Sequence, residues 1–424
     1  MLNDPAGLGT DTSRDTLDFS SFVGPVNLDL ARTDEQVVNA GNLKLKLLNA
    51  TAIEDVVGSP FSDTILGTSR ANRLLGADEL AHSMSTPGPG SPTVQVVFLD
   101  LDSETNPVLE HVYTLAERNA IQAALAADYA PFSFQFTQTP PAPGSFATLF
   151  FNKSFLVDGQ PQPGHADEVD FRNLNLGGSV SIDINSFLGG AGQPSATSAN
   201  IVAASAAIAA HELGHLVGLR HADSFGPIGS GIHSPPGPDK YKPSYPGPSA
   251  AFETTLHLMA SPASVGSSAN DALADPFFGE REAIKLAFAS GGAVLNEQAG
   301  DHGSRATAQG VALAGLAMPN TLVKGTNAAK VFAVAAADVV GFIELGPDGH
   351  SQSDFYSFQG SAGDLINVEV MSRGLARIAN PTDSIVRIYD TAGNLVAYFT
   401  STASTDDQFE NPDAAIIDLL LPSD

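Results

Sequence analysis

His211, Glu212, His215 and His221 fall within the eleven-residue run His-Glu-Leu-Gly-His-Leu-Val-Gly-Leu-Arg-His. If the run begins as a helix, His211 and His215 stand one turn apart on one face, and both imidazoles can reach a single ion at roughly 2.1 Å. Glu212 is rotated off that face, which suits it to take a proton from a water on the ion rather than to ligate. Gly218 can adopt a left-handed conformation at little cost, turning the chain so that His221 returns as a third ligand with the fourth position left open to water. Three imidazoles, one open position and an adjacent carboxylate are the parts of a hydrolytic Zn²⁺ centre. The competing reading is an Ala-rich core helix carrying two histidines, and it requires other buried partners for those polar groups.

The elements that must position these residues are legible on either side. Val94–Leu101 reads as a strand, and Thr114–Tyr129 as a helix opened by a capping box of Thr114 and Glu117. Residues 132–137, 147–151 and 179–185 alternate as strands, and a helix spans about Ser198 to Val217. The loop between Asn152 and Gly178 holds His165, Asp167, Glu168 and Asp170, open to reading as a structural metal site or as solvated acidic surface. Residues 226–249 are dense in Pro, Gly and Ser and read as an irregular loop containing His233, Tyr241 and Tyr245. A closing helix is expected over 275–289, with Asp275 as cap, Pro276 at its first position and Gly291-Gly292 as stop.

The HExxHxxGxxH spacing of His211, Glu212, His215, Gly218 and His221 resembles the metzincin clan of zinc endopeptidases. Leu256-His-Leu-Met-Ala-Ser-Pro262 extends the likeness, because it places Met259 38 residues after His221, where metzincins carry a methionine turn beneath the metal. The resemblance implies a mixed twisted sheet with an active-site helix, Glu212 as general base, His211, His215 and His221 on Zn²⁺, and a protein or peptide substrate bound along an edge strand. By order along the chain that strand is Val180, Ser181, Ile182, Asp183 and Ile184. Ser261 stands where some metzincins place a zinc-binding tyrosine, so the matrixin-like branch fits better, and His257 is expected to support the turn.

The flanks read differently. Gly58–Gly67 and Thr68–Gly76 repeat a nine-residue rhythm of polar turn, small apolar stretch and glycine, similar to a degenerate repeat-in-toxin calcium roll. That likeness implies Ca²⁺ at Asp63, Asn72 and Asp78, with a metal-free cap as the other reading. The alternating strands between 354 and 397 resemble the bacterial pre-peptidase C-terminal β-sandwich. The expectation is a multidomain α+β protein: a β-rich solenoid-like segment over 1–83, a catalytic domain over 90–292, a linker over 293–319 and a β-sandwich over 320–424, the last read either as cut short or as leaving one sheet edge open. Each domain is expected to keep its own core, leaving activity independent of the flanks.

Composition bounds the partners. Twenty Lys and Arg against 47 Asp and Glu give a net charge of −27, which opposes binding to nucleic acid or an anionic membrane. There is no cysteine, so neither disulfides nor thiolate zinc sites can form, and no apolar run is long enough to cross a bilayer. A monomer secreted by a bacterium is expected, with any export signal either absent from this chain or at a C-terminus not shown. The reading from another class is a non-catalytic extracellular adhesion protein stabilised by Ca²⁺ and Zn²⁺.

Overall fold

The computed structural model describes residues 16–19, 25–39, 43–47, 53, 55–59, 64–66, 73–75, 94–141, 146–170, 176–231, 248, 250–252, 254–262, 265, 271–291, 294–298, 302–316, 334–341, 343, 351–372, 375, 381–382, 384–400 and 413–422. The fold is mixed α+β, with three α-helices and many short strands in small sheets among these residues. No helix among them is long and apolar enough to cross a membrane. The chain separates into two compact units. One joins residues 1–90 to 294–311 and 338–357, and the other joins 91–293 to 312–337 and 358–424.

In the first unit, β1 (Thr16–Asp18), β2 (Asn27–Asp29), β3 (Gln36–Asn39), β4 (Leu43–Leu45), β5 (Asp55–Val57), β6 (Thr64–Leu66) and β7 (Arg73–Leu75) surround a core of Val26, Leu28, Leu30, Val38, Leu47 and Val56. β5, β6 and β7 begin at 55, 64 and 73, nine residues apart each time, and they alternate between two sheets. β5 and β7 pair in parallel beside β1, while β6 pairs in parallel with β2. A nine-residue half-coil places successive strands on opposite sheets in this way. The proposed calcium ligands Asp63, Asn72 and Asp78 lie outside the described residues.

The second unit is built on β8 (Gln95–Asp100), β9 (Phe134–Thr137), β10 (Ala147–Phe151), β11 (Phe155–Val157), β12 (Gln160–Gln162), β13 (Gly164–Ala166) and β14 (Ser179–Ile182). Five of them form one sheet in the order β13-β14-β10-β8-β9, parallel throughout except for antiparallel β13 at one edge. Helices α1 (Leu115–Asp128) and α2 (Ser198–Leu216) pack with it around Leu99, Ile121, Leu125, Leu149, Phe151, Ile182 and Leu213. Two tyrosines set α2 in place. Tyr113 hydrogen-bonds Ser205 Oγ at 2.9 Å, and Tyr129 donates to the Ala210 carbonyl at 2.8 Å. The Thr114–Glu117 capping box forms on α1 as the sequence suggests. α3 (Glu280–Gly291) instead begins later than its Asp275-Pro276 signal. Asp275 sits at φ +61° and Phe277 bridges to His257, so the chain is not yet helical there.

The segment expected to be a linker carries β15 (Val294–Asn296), β16 (Gln309–Gly310) and β17 (Ala314–Leu316), followed by β18 (Val334–Ala336), β19 (Asp338–Val340) and β20 (Tyr356–Ser357). β15 pairs with β19 and β16 with β20 in the first unit, whereas β17 pairs with β18 in the second. β21 (Leu365–Glu369), β22 (Ile385–Tyr389), β23 (Leu395–Thr400) and β24 (Ala415–Leu420) form two antiparallel pairs in the second unit. Among the described residues, then, the C-terminal strands are divided between the two units rather than gathered into one sandwich.

The second unit's C-terminal strands share a core with the chain that follows α2. Ile388, Ala415, Ile416 and Ile417 pack with Ala222, Phe225, Ala251 and Val265. Buried ion pairs cross the same boundary. Arg220 meets Asp413 at 3.0 Å with 1% and 0% of their side chains exposed, Arg281 meets Asp418, and Lys285 reaches Asp223 at 2.8 Å and Glu369 at 3.0 Å. Asp418 also accepts from the Gly229 and Gly231 backbone N–H groups, both at 2.8 Å. These pairs tie the flank to the chain around α2 and α3, because removing it leaves Arg220 and Arg281 without their counter-charges. Asp413→Ala should therefore destabilise the protein by about 3–5 kcal/mol, while replacing Arg220 and Asp413 together by apolar residues of similar volume should recover much of that. Urea unfolding of the two variants checks this, and equal losses in both would contradict it.

Candidate metal centre

α2 carries the first two histidines to its C-terminal end. Thr197 caps its start, accepting from the Asn200 N–H at 3.3 Å, and an alanine-rich face lets it lie close against the sheet. The helix stops because Gly218 sits at φ +96°, a conformation that suits glycine. The Gly218 N–H donates to the His215 carbonyl and the Leu219 N–H to the Gly214 carbonyl, both at 2.9 Å. The chain then reverses into a single 3₁₀ turn, His221–Ser224, in which Ser224 Oγ donates to the His221 carbonyl at 2.6 Å.

The three imidazoles converge. Nε2 of His221 lies 3.2 Å from Nε2 of His211 and 3.1 Å from Nε2 of His215. Nδ1 of His211 donates to the Leu258 carbonyl at 2.6 Å, and Nδ1 of His215 to the Leu219 carbonyl at 2.9 Å. A carbonyl can only accept, so both rings carry their proton on Nδ1 and turn the Nε2 lone pair inward. Atoms 3.1–3.2 Å apart and each roughly 2.1 Å from a shared ion subtend about 95–100° there, within the range of zinc coordination. Burial pushes His211 down to about 4, His221 to about 3 and His215 well below the usual histidine range, so all three rings are neutral near pH 7. The donor set therefore fits a divalent ion such as Zn²⁺.

Glu212 lies beside this group rather than in it. Burial pushes its carboxyl up to about 8, opposed by a hydrogen bond from the Ala166 backbone. β13 runs directly against it: a Cβ added at Gly164 would come within 2.5 Å of Glu212 Cγ and Oε1. His165 follows on the same strand, its ring stacked on Phe155 at 3.7 Å. Among the described residues, one edge of the sheet is thus Gly164–Ala166. Val180, Ser181 and Ile182 belong to β14, paired on both sides, and Asp183 and Ile184 follow its end, so the expected edge position is corrected to β13. The acidic residues of this loop, Asp167, Glu168 and Asp170, join no metal-binding group among the described residues. His233, Tyr241 and Tyr245 lie outside those residues.

Met259 is fully buried, with its sulfur against α2, where a Cβ at Gly214 would meet Sδ at 2.6 Å. The turn is held by a residue the sequence did not single out. Glu282, on the first turn of α3, accepts from the Met259 N–H at 2.6 Å and from the Gly279 N–H. His257 supports the turn as expected, donating from Nδ1 to the Ser224 carbonyl at 2.7 Å in a slot walled by Gly226 and Gly279. Glu282 was hidden because an acidic residue at a helix start reads as surface. No family model matches the chain, and no curated protein does either.

Replacing Glu282 tests this support. Glu282→Ala leaves two buried N–H groups without an acceptor and should cost at least about 2 kcal/mol, whereas Glu282→Gln keeps one acceptor oxygen and should cost less. Chemical denaturation of both variants measures the difference, and an unaffected Glu282→Ala protein would remove the residue from its assigned role.

Proposed function

We propose that this chain is a zinc-dependent endopeptidase of the metzincin type. The observation that carries the reading is the convergence of the His211, His215 and His221 Nε2 atoms within a few ångströms, with the Glu212 carboxylate held beside them under an antiparallel edge strand. Two further features support it: a buried methionine turn behind the histidines and the sheet order β13-β14-β10-β8-β9. Among the described residues the group offers three protein donors, whereas a purely structural zinc site takes four.

His211, His215 and His221 would hold the ion. A zinc ion there supplies Lewis acidity, lowering the pKa of water and polarising a carbonyl. Glu212 handles the protons. Its carboxylate would take a proton from water and pass it to the departing amine. β13 positions the substrate. Among the described residues it has a sheet neighbour on one side only, β14, so its other side can pair with an extended peptide through backbone hydrogen bonds.

Alanine at His211, His215 or His221 should remove tightly bound zinc. Glu212→Gln should keep zinc and the fold while lowering turnover of an unstructured protein substrate by about 10²–10⁴-fold. Gly164→Ala should also keep zinc and reduce turnover, because the added methyl displaces the Glu212 carboxylate. Metal analysis beside a proteolysis assay reads all of these. A folded, zinc-replete protein that binds no zinc, or a Glu212→Gln variant as active as its parent, would overturn the proposal.

A further inference from the structure

We propose that Glu297, His302 and Asp354 form a second metal site, holding a divalent ion of the zinc type that clips two distant segments of the first unit together. Each residue offers a ligand atom, and these atoms lie within 4.8 Å of one another. The cluster is buried, with side-chain exposures of 16% for Glu297, 9% for His302 and 5% for Asp354, so it is not a chance grouping of surface acids.

The state of His302 points to a missing partner. Its Nε2 lies 2.7 Å from Glu297 Oε1, and because an ionised carboxylate only accepts, that nitrogen carries the proton. With Nε2 so engaged, the ring's other nitrogen, Nδ1, is the atom left to meet an ion. This atom is buried and has no hydrogen-bond partner, although Asp354 Oδ1 is 3.1 Å away. A ring nitrogen and a carboxylate oxygen at that separation, each roughly 2.1 Å from a common ion, subtend about 95° there, an ordinary angle between two ligands. Glu297 orients the ring as carboxylates do behind metal-binding histidines, and its acid adds a second negative charge within reach. Tyr356 stacks near the ring, with centroids 6.0 Å apart, and its phenol is pushed above the usual range by burial and then by the charges of Glu297 and Asp354. Gly341 closes the far side, since a Cβ there would meet Glu297 Oε2 at 2.6 Å and Tyr356 Oη at 3.0 Å. The imidazole selects a borderline ion such as Zn²⁺ over Ca²⁺, which takes oxygen ligands.

The surrounding backbone is already arranged for such a clip. Glu297 follows β15, and its N–H donates to the carbonyl of Val340, the last residue of β19, at 2.8 Å. The His302 carbonyl accepts from the Phe355 N–H at 2.9 Å, next to Asp354. Gln309 ties the same strands from inside, accepting from the Gln298 N–H and donating to the Asn296 carbonyl. An ion held between His302 and Asp354, with Glu297 steadying the ring, would therefore bind the segment around 297–302 to the one around 354.

Zinc stoichiometry of the full chain after dialysis against Zn²⁺ tests this independently of the catalytic proposal. The parent should bind two ions, the His211→Ala/His215→Ala variant one, and Asp354→Asn one. Asp354→Asn should keep the parent's proteolytic rate on an unstructured substrate while losing the rise in melting temperature that added Zn²⁺ gives the His211→Ala/His215→Ala variant. If Asp354→Asn fails to fold, the parent's count and the zinc-dependent melting shift of the His211→Ala/His215→Ala variant decide the matter. A parent that binds a single ion lost with His211 and His215, or an Asp354→Asn protein that still binds two, overturns the second site.

Discussion

Three imidazoles can share one ion only if each presents an unprotonated nitrogen to the same point, and in this chain burial and backbone carbonyls impose that condition together. Exposed histidines would be partly protonated below neutrality, and each ring could flip between tautomers. Here burial keeps the rings neutral, and the carbonyls of Leu258 and Leu219 fix which nitrogen of His211 and His215 faces inward. Each carbonyl brings an obligation. Leu219 is in place because Gly218 reverses the chain, and Leu258 because the turn around Met259 is held, in part by Glu282 at the start of α3.

That chain of obligations runs on into the C-terminal strands. The turn carrying His221 contains Asp223, which shares Lys285 with Glu369, and is preceded by Arg220, whose partner is Asp413. Buried ion pairs add little net stability against well-packed apolar residues, but they exclude alternative arrangements because any other placement leaves a charge unpaired. In a protein with a net charge of −27, cations are scarce, and three of them, Arg220, Arg281 and Lys285, are spent around this loop.

How much of this the sequence disclosed depended on the distance over which each feature is encoded. The histidines and Glu212 were legible because one helical turn and one glycine fix their relation within eleven residues. The capping box of α1 was legible for the same reason. The edge strand was misplaced because β13 is three residues of Gly-His-Ala with no β-branched side chain, while Val180 and Ile182 of the neighbouring strand carry the stronger signal. Glu297 and His302 lay in a stretch whose alanine and glycine content suggested a linker, and only pairing with residues near 340 and 355 brings them to Asp354. The partnership of Arg220 with Asp413 spans 193 residues, beyond any local pattern.

That span also sets an order of events during synthesis. Arg220 emerges from the ribosome while its counter-charge has yet to be translated, and at 5–20 residues per second the wait lasts roughly 10–40 s. During that interval α2 can form and dock, since its partners Tyr113 and Tyr129 precede it. The turn bearing His221 cannot settle until nearly the whole polypeptide has been made. A nascent or prematurely terminated chain would thus carry two of the three histidines in place and the third unsecured, so that ribosome-bound and incomplete products lack the finished centre.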